Sequence, residues 1–200
     1  MLCLSYVLVR LHAADLTQIE DTEPLPRWGH LAVTVGSKVF VWGGEGSTEE
    51  DCKFLQFFDM DTKKWWKRRT KGSPPEGYVA CAYTLIGKVL YVFGGSDGQN
   101  YYNDIYRVEL DMKATTLEWK MCEVQNPNLA PMKKRSTGMI ARKTEDNSIE
   151  LVVFGGYGAP QKDTLPGSTI HRTSEVHTFN IETGKFLMQS NRTYGAVVIM

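Results

Sequence analysis

The sequence predicts an all-β fold of the β-propeller type, in which four-stranded sheets stand radially around a common axis. Three observations lead there. First, one signature occurs three times: Val39-Phe40-Val41-Trp42-Gly43-Gly44, Val89-Leu90-Tyr91-Val92-Phe93-Gly94-Gly95 and Leu151-Val152-Val153-Phe154-Gly155-Gly156. Each is an apolar strand that stops on a double glycine. Second, Gly43, Gly94 and Gly155 are 51 and 61 residues apart, the period of propellers that spend one four-stranded sheet per repeat. Third, no segment sustains a 3.6-residue apolar period, so little helix is expected.

Each repeat reads as four strands in order. Pro26-Arg27-Trp28-Gly29-His30-Leu31-Ala32-Val33-Thr34-Val35-Gly36 is a loop, an inner strand and a tight turn at Gly36-Ser37 into the double-glycine strand. Phe57-Phe58-Asp59-Met60-Asp61-Thr62-Lys63-Lys64-Trp65 is a third strand, a turn and a fourth strand. Thr178-Phe179-Asn180-Ile181-Glu182-Thr183-Gly184-Lys185-Phe186 copies it, with Phe186 where Trp65 stands; in the second repeat the matching aromatic is Trp119. Residues 24–73, 74–130 and 131–190 are therefore predicted as three successive sheets. Residues 191–200 repeat the pattern Arg27-Trp28-Gly29-His30-Leu31-Ala32-Val33 and read as the first strand of a fourth. Propellers close with about four to eight sheets, so the expectation is a piece of a longer protein or a chain completed by another. Residues 1–23 read as a leader or as a strand lent to another sheet. They resemble a signal peptide only slightly, since no basic residue precedes the apolar stretch and Arg10 interrupts it.

The double glycines have a mechanical reading. Without Cβ atoms the backbone turns sharply and neighbouring sheets approach closely. A phosphate cradle would need a following helix or a Gly-x-x-x-x-Gly-Lys pattern, and neither occurs. Trp65, Trp66 and Trp119 read as packing residues between sheets, each with roughly 150–250 Å² to bury.

Composition narrows the function classes. The chain is 42% hydrophobic, with 18 Gly and 9 Tyr, and its 23 Lys plus Arg balance 23 Asp plus Glu. A nucleic-acid groove would need a basic excess, so no nucleic-acid partner is expected. No run of 18 apolar residues exists, so no membrane partner is expected. Cys3, Cys52, Cys81 and Cys122 form no Cys-x-x-Cys pair; they read as reduced thiols of a cytoplasmic or nuclear protein, without a metal. No cofactor is expected.

The candidate site lies where the loops preceding the inner strands gather at one mouth. These loops carry Arg27, Trp28, His30, Tyr78, Arg135, Ser136, Arg192 and Tyr194, and the long segment from Tyr157 to Arg172 should hang over the same opening. Arg27, Arg135 and Arg192 read as equivalent positions aimed at one point. Guanidinium groups hold carboxylates by two parallel hydrogen bonds, and aromatics beside them can hold an extended peptide.

Arg27-x-x-His30 before the inner strand, the Val41-Trp42-Gly43-Gly44 ending, and Phe154-Gly155-Gly156-Tyr157-Gly158 with a long loop after it resemble the kelch-domain-containing proteins over residues 24–200. Within them the chain is most similar to the substrate receptors of cullin–RING ubiquitin ligases that bind C-terminal glycine degrons. The resemblance implies a six-bladed kelch β-propeller of which three four-stranded blades and the first strand of a fourth are present. It also implies a non-enzymatic adaptor that binds a protein or peptide, with cullin–RING components contacted through regions outside this chain. The alternative is a structural or cytoskeletal interaction propeller. A propeller enzyme is the remaining class: kelch-fold copper oxidases need two His and two Tyr around the metal, whereas His12, His30, His171 and His177 share no repeat position.

Overall fold

The computed structural model describes residues 18–21, 24–114, 116–159 and 171–190. Strand β1 (Gln18–Asp21) is followed by β2 (Leu31–Val35), β3 (Lys38–Trp42), a one-turn helix α1 (Glu49–Cys52), β4 (Phe54–Asp59) and β5 (Lys64–Lys71). The first sheet has the order β1-β5-β4-β3-β2 with antiparallel neighbours. Residues Gln18–Asp21 thus add a fifth strand to the outer edge of the first sheet, pairing with Trp65–Arg68.

The second sheet comprises β6 (Ala82–Ile86), β7 (Val89–Phe93), β8 (Ile105–Glu109) and, after the two-residue strand β9 (Leu117–Glu118), β10 (Lys120–Met121). Here the structure departs from four equal strands. The segment expected as the fourth strand is split, and Leu117–Glu118 pairs in parallel with Thr70–Lys71 of the first sheet. A 3-10 turn (Pro127–Leu129) and β11 (Lys133–Arg135) lead to the third sheet of β12 (Gly138–Lys143), β13 (Ile149–Phe154), β16 (Val176–Asn180) and β17 (Lys185–Ser190). Between β13 and β16, β14 (Tyr157–Ala159) and β15 (His171–Arg172) join β11 in a small sheet of order β11-β14-β15.

The side-chain period of two decides where the core sits, because successive residues of a strand face opposite sides. On β7, Leu90 and Val92 face the first sheet and pack with Leu31, Phe40, Trp42, Leu55, Phe57 and Trp119. Tyr91 and Phe93 face the third sheet and pack with Met139, Leu151, Val153, Phe179 and Phe186. The middle sheet is therefore sandwiched, and two apolar layers hold the three sheets together.

The outer faces of this stack behave differently. Counted from the double glycines, Trp42, Phe93 and Phe154 hold one repeat position, on the side facing the following sheet. Trp42 is 1% exposed, Phe93 0% and Phe154 36%. On the opposite side, Trp119 and Phe186 are buried against the preceding sheet, whereas the equivalent Trp65 is half-buried. Trp65 stacks on Phe58 at 5.3 Å, and Trp66 packs at the margin of the first core. The expectation that Trp65, Trp66 and Trp119 pack between sheets holds for Trp66 and Trp119 and is corrected for Trp65. Trp119 is a core residue on Trp42 at 5.1 Å, while Trp65 lies on the side of the first sheet turned away from the second.

The glycine pairs act as expected from their chemistry. Gly43 and Gly94 have φ of +67° and +63°. A Cβ on Gly43 would lie 2.3 Å from the Tyr78 carbonyl oxygen, and one on Gly94 2.6 Å from that of Lys134. Each approach is between one repeat and the next. The thiols of Cys52 and Cys81 are free and buried, and burial pushes both up to about 12.

Candidate peptide-binding mouth

Three residues just before the inner strands adopt the left-handed conformation: Gly29 at φ +65°, Ala80 at +52° and Ser136 at +55°. Only the first is glycine, so the other two bear a local cost held by surrounding hydrogen bonds. The Ala80 N–H donates to the Gly29 carbonyl at 2.8 Å, and the Ser136 N–H donates to the Ala80 carbonyl at 2.8 Å. This relay passes from sheet to sheet and brings one loop of each repeat side by side. A second set ties each double glycine to the next loop: Gly44 N–H to Tyr78 O at 2.7 Å and Gly95 N–H to Lys134 O at 2.9 Å.

These bonds fix which residues are equivalent. Tyr78 and Lys134 hold one position, two residues before Ala80 and Ser136, and Arg27 holds it before Gly29. Trp28, Val79 and Arg135 hold the next, where they bridge Glu45, Ser96 and Tyr157 respectively. The expected equivalence of Arg27 and Arg135 is therefore corrected by one residue. Neighbours on extended backbone point opposite ways, so Lys134 is 0% exposed while Arg135 next to it reaches the surface.

Each expected site residue can now be placed. Arg27 is half-buried and spends donors on its own loop, with Nη1 donating to Gly43 O at 3.2 Å and to Ser47 Oγ at 3.1 Å, and Nε to Leu25 O at 3.2 Å. Trp28 is 58% exposed, the largest such side chain at the mouth. His30 is exposed behind Gly44, where an added Cβ would come 2.9 Å from its own. Tyr78 is half-buried against the first core, and burial pushes its hydroxyl up. Arg135 donates from Nε to the Tyr157 hydroxyl at 2.7 Å. Its guanidinium lies 5.1 Å from the Tyr157 ring and 6.0 Å from the Tyr101 ring, and the two rings meet edge to face at 6.2 Å. Ser136 is exposed and serves through its backbone. Arg192 and Tyr194 lie outside the described residues, as does most of the segment between Tyr157 and Arg172.

Sequence reasoning missed three participants. Tyr101 completes the aromatic pair around Arg135; it bridges Ser96 just after the second double glycine, a position that its type alone does not mark. Lys134 was hidden by the arginine beside it. Burial lowers its ammonium to about 8, with Glu175 pulling the other way, and its Nζ has no hydrogen-bond partner among the described residues. His177 is buried, joined to the Glu175 carboxylate at 3.1 Å, and burial lowers it despite that partner. Among the described residues no three His, Cys, Asp or Glu side chains are grouped to hold a metal ion. No described helix is long and apolar enough to cross a membrane.

The mouth thus offers an exposed indole, a guanidinium braced by two tyrosines, and carbonyl and amide groups already engaged in the inter-sheet relay. Such a surface suits an extended chain with an anionic group. Comparison with known proteins agrees with the architecture. The family description KLHDC2/KLHL20/DRC7 Kelch-repeats domain matches residues 4–195. The chain is similar to Kelch domain-containing protein 3 of Rattus norvegicus, at 36% identity over 110 residues, 52% of this chain and 27% of that protein. It is also similar to Kelch domain-containing protein 2 of Homo sapiens, at 29% identity over 153 residues, 72% of this chain and 36% of that protein. The matched part of the chain therefore spans about a quarter to a third of the length of these relatives.

Proposed function

The chain belongs to the kelch-repeat family of the KLHDC2/KLHL20/DRC7 type, and from that premise we propose that it is the ligand-binding part of a non-enzymatic, substrate-recognising adaptor. The ligand is a protein segment that presents a carboxylate, acidic or C-terminal, to the mouth. The observation that carries this reading is the Arg135–Tyr157–Tyr101 cluster, set on the same relay as the exposed Trp28. A guanidinium whose Nε is already held by a phenol is pre-oriented, so its Nη groups meet a carboxylate at little further entropic cost. The likeness to substrate receptors of cullin–RING ligases, read from the sequence motifs, supports the adaptor role.

The test is a titration of the 200-residue chain with an acidic peptide ending in Gly-Gly, as free acid and as amide. A charge-assisted hydrogen bond contributes roughly 1.5–3 kcal/mol, so the free acid should bind about tenfold or more tightly. Arg135→Ala should remove that difference, and Arg135→Lys should restore only part of it. Equal affinity for acid and amide would refute recognition of a terminal carboxylate.

A second reading, a structural interaction propeller, is favoured by one observation. The third sheet presents Ile140, Phe154 and Leu187, which are 63%, 36% and 50% exposed, on one face. An apolar face of this kind favours association of sheets. Self-association together with no binding of either the free-acid or the amidated peptide would support it over the first reading.

A further inference from the structure

A cavity of about 280 Å³ opens on the mouth side between the first two sheets. Its walls come from four places: helix α1 and its end, the Ser73–Tyr78 loop, the turn after the second double glycine, and the start of β8. Three tyrosines line it, Tyr78, Tyr102 and Tyr106, together with the carboxylates of Glu49, Glu76 and Asp97. All three tyrosines are half-buried, so ring surface faces the space. The Tyr102 hydroxyl donates to Asp97 Oδ2 at 2.7 Å, which fixes that ring against the wall. Among the described residues Lys53 is the one cation on the lining, and its ammonium lies 2.7 Å from Glu50. The chain as a whole is neutral, so this negative sign is local.

The chemistry of the walls selects the guest. Carboxylates at the rim and the negative faces of aromatic rings both attract a cation, and together they reject an anion. Burial, with Asp97 and other carboxylates nearby, pushes the tyrosine hydroxyls up, so the walls carry neutral phenols beside charged acids. Asp97 is raised by burial but more strongly lowered by the Asn100 and Gln99 amides and the Tyr102 hydroxyl, to about 2, so it keeps its charge.

We propose that this cavity is a binding site for the basic side chain, arginine or lysine, of a protein partner. The site is separate from the Arg135 cluster and opposite in charge preference. It rests on the reading of the chain as a peptide-binding protein and adds a second residue class to what that peptide carries.

The probes are the blocked tripeptides acetyl-Gly-Arg-Gly-amide, acetyl-Gly-Lys-Gly-amide and acetyl-Gly-Glu-Gly-amide, none of which has a terminal carboxylate. The arginine and lysine peptides should bind, the glutamate peptide should not, and binding should weaken as salt rises. The double variant Glu49→Gln/Glu76→Gln should bind about tenfold or more weakly, with an unchanged melting temperature because both side chains are exposed. Arg135→Ala should leave binding of these blocked peptides unchanged. Undiminished binding in the double variant, equal binding of the glutamate peptide, no binding of the basic peptides, or occupation by calcium ion in their place would each overturn the proposal. A free-acid Gly-Gly peptide that fails to prefer the unaltered chain over Arg135→Ala would instead count against the carboxylate mouth, so the two failures are distinguishable.

Discussion

Lys134 carries an ammonium group with no exposed surface and, among the described residues, no hydrogen-bond partner for its Nζ. A buried, unpartnered cation destabilises the folded state, and the lowering to about 8 from an ordinary 10.5 expresses that cost. The sign follows from linkage. Below about pH 8 both folded and unfolded chains hold the proton and the full penalty applies. Between about 8 and 10.5 the folded chain has released it while the unfolded chain still binds it, so stability rises with pH. The isosteric Lys134→Met should therefore melt higher than the parent at pH 7, by roughly 2–3 kcal/mol at about 1.4 kcal/mol per unit, and the gap should narrow towards pH 10.5. Reporting the difference between the two proteins cancels the opposing contribution of Cys52 and Cys81, whose thiols burial raises to about 12. A gap independent of pH would show that Lys134 is not a buried cation. The same scale separates the tryptophans. Trp42 donates from Nε1 to the Cys52 carbonyl at 2.8 Å and stacks on Trp119, so Trp42→Ala should cost roughly 3–5 kcal/mol. Trp65→Ala should cost clearly less, because Trp65 is half-buried and rests on Phe58. Chemical denaturation of the two variants checks the order.

At the scale of elements, the double glycine is the unit that sets one sheet against the next. Gly43→Ala meets both a positive φ and the Tyr78 carbonyl at 2.3 Å, so it should force the first two sheets apart and destabilise strongly. Gly36→Ala has φ +59° but open space around the new atom, and should cost only roughly 1–2 kcal/mol for the left-handed backbone. Gly155→Ala, with the nearest atom at 3.7 Å, should resemble Gly36 rather than Gly43. Equal losses for Gly43 and Gly36 would mean that conformation and not inter-sheet contact is what the pair supplies. Much of this was legible in the sequence, since an apolar run ending on Gly-Gly states strand, stop and close approach at once. The mouth was less legible for a physical reason. Its register is set by the left-handed residue before each inner strand, and Gly29, Ala80 and Ser136 share a conformation without sharing a residue type. Matching arginine to arginine therefore aligned Arg27 with Arg135, when the backbone aligns it with Tyr78 and Lys134. The split of β9 from β10 was illegible too, because the parallel pairing of Leu117–Glu118 with Thr70–Lys71 depends on a contact far away in sequence.

At the scale of the molecule, two apolar layers bind three sheets, and the third sheet turns Ile140, Phe154 and Leu187 outward. On that face Ile140 lies opposite Val152 and Leu187 opposite Thr178, which is itself buried. The 200-residue chain on its own should therefore self-associate, and Ile140→Glu with Leu187→Glu should shift it towards monomer without lowering its melting temperature. Analytical ultracentrifugation of the two proteins is the check; an unchanged distribution of species would place the association elsewhere.

The mouth is where structure and proposed function meet, and one measurement addresses it directly. Backbone amide resonances of the chain are followed by NMR while an acidic peptide ending in a free Gly-Gly carboxylate is added. If the ligand is held where the relay gathers the loops, the largest shifts fall on Gly29, Ala80 and Ser136, on the Trp28 indole and on the Arg135 side chain. Shifts confined to the opposite end of the sheets, at the turns of Gly36, Gly87 and Asn147, would contradict a peptide-binding mouth.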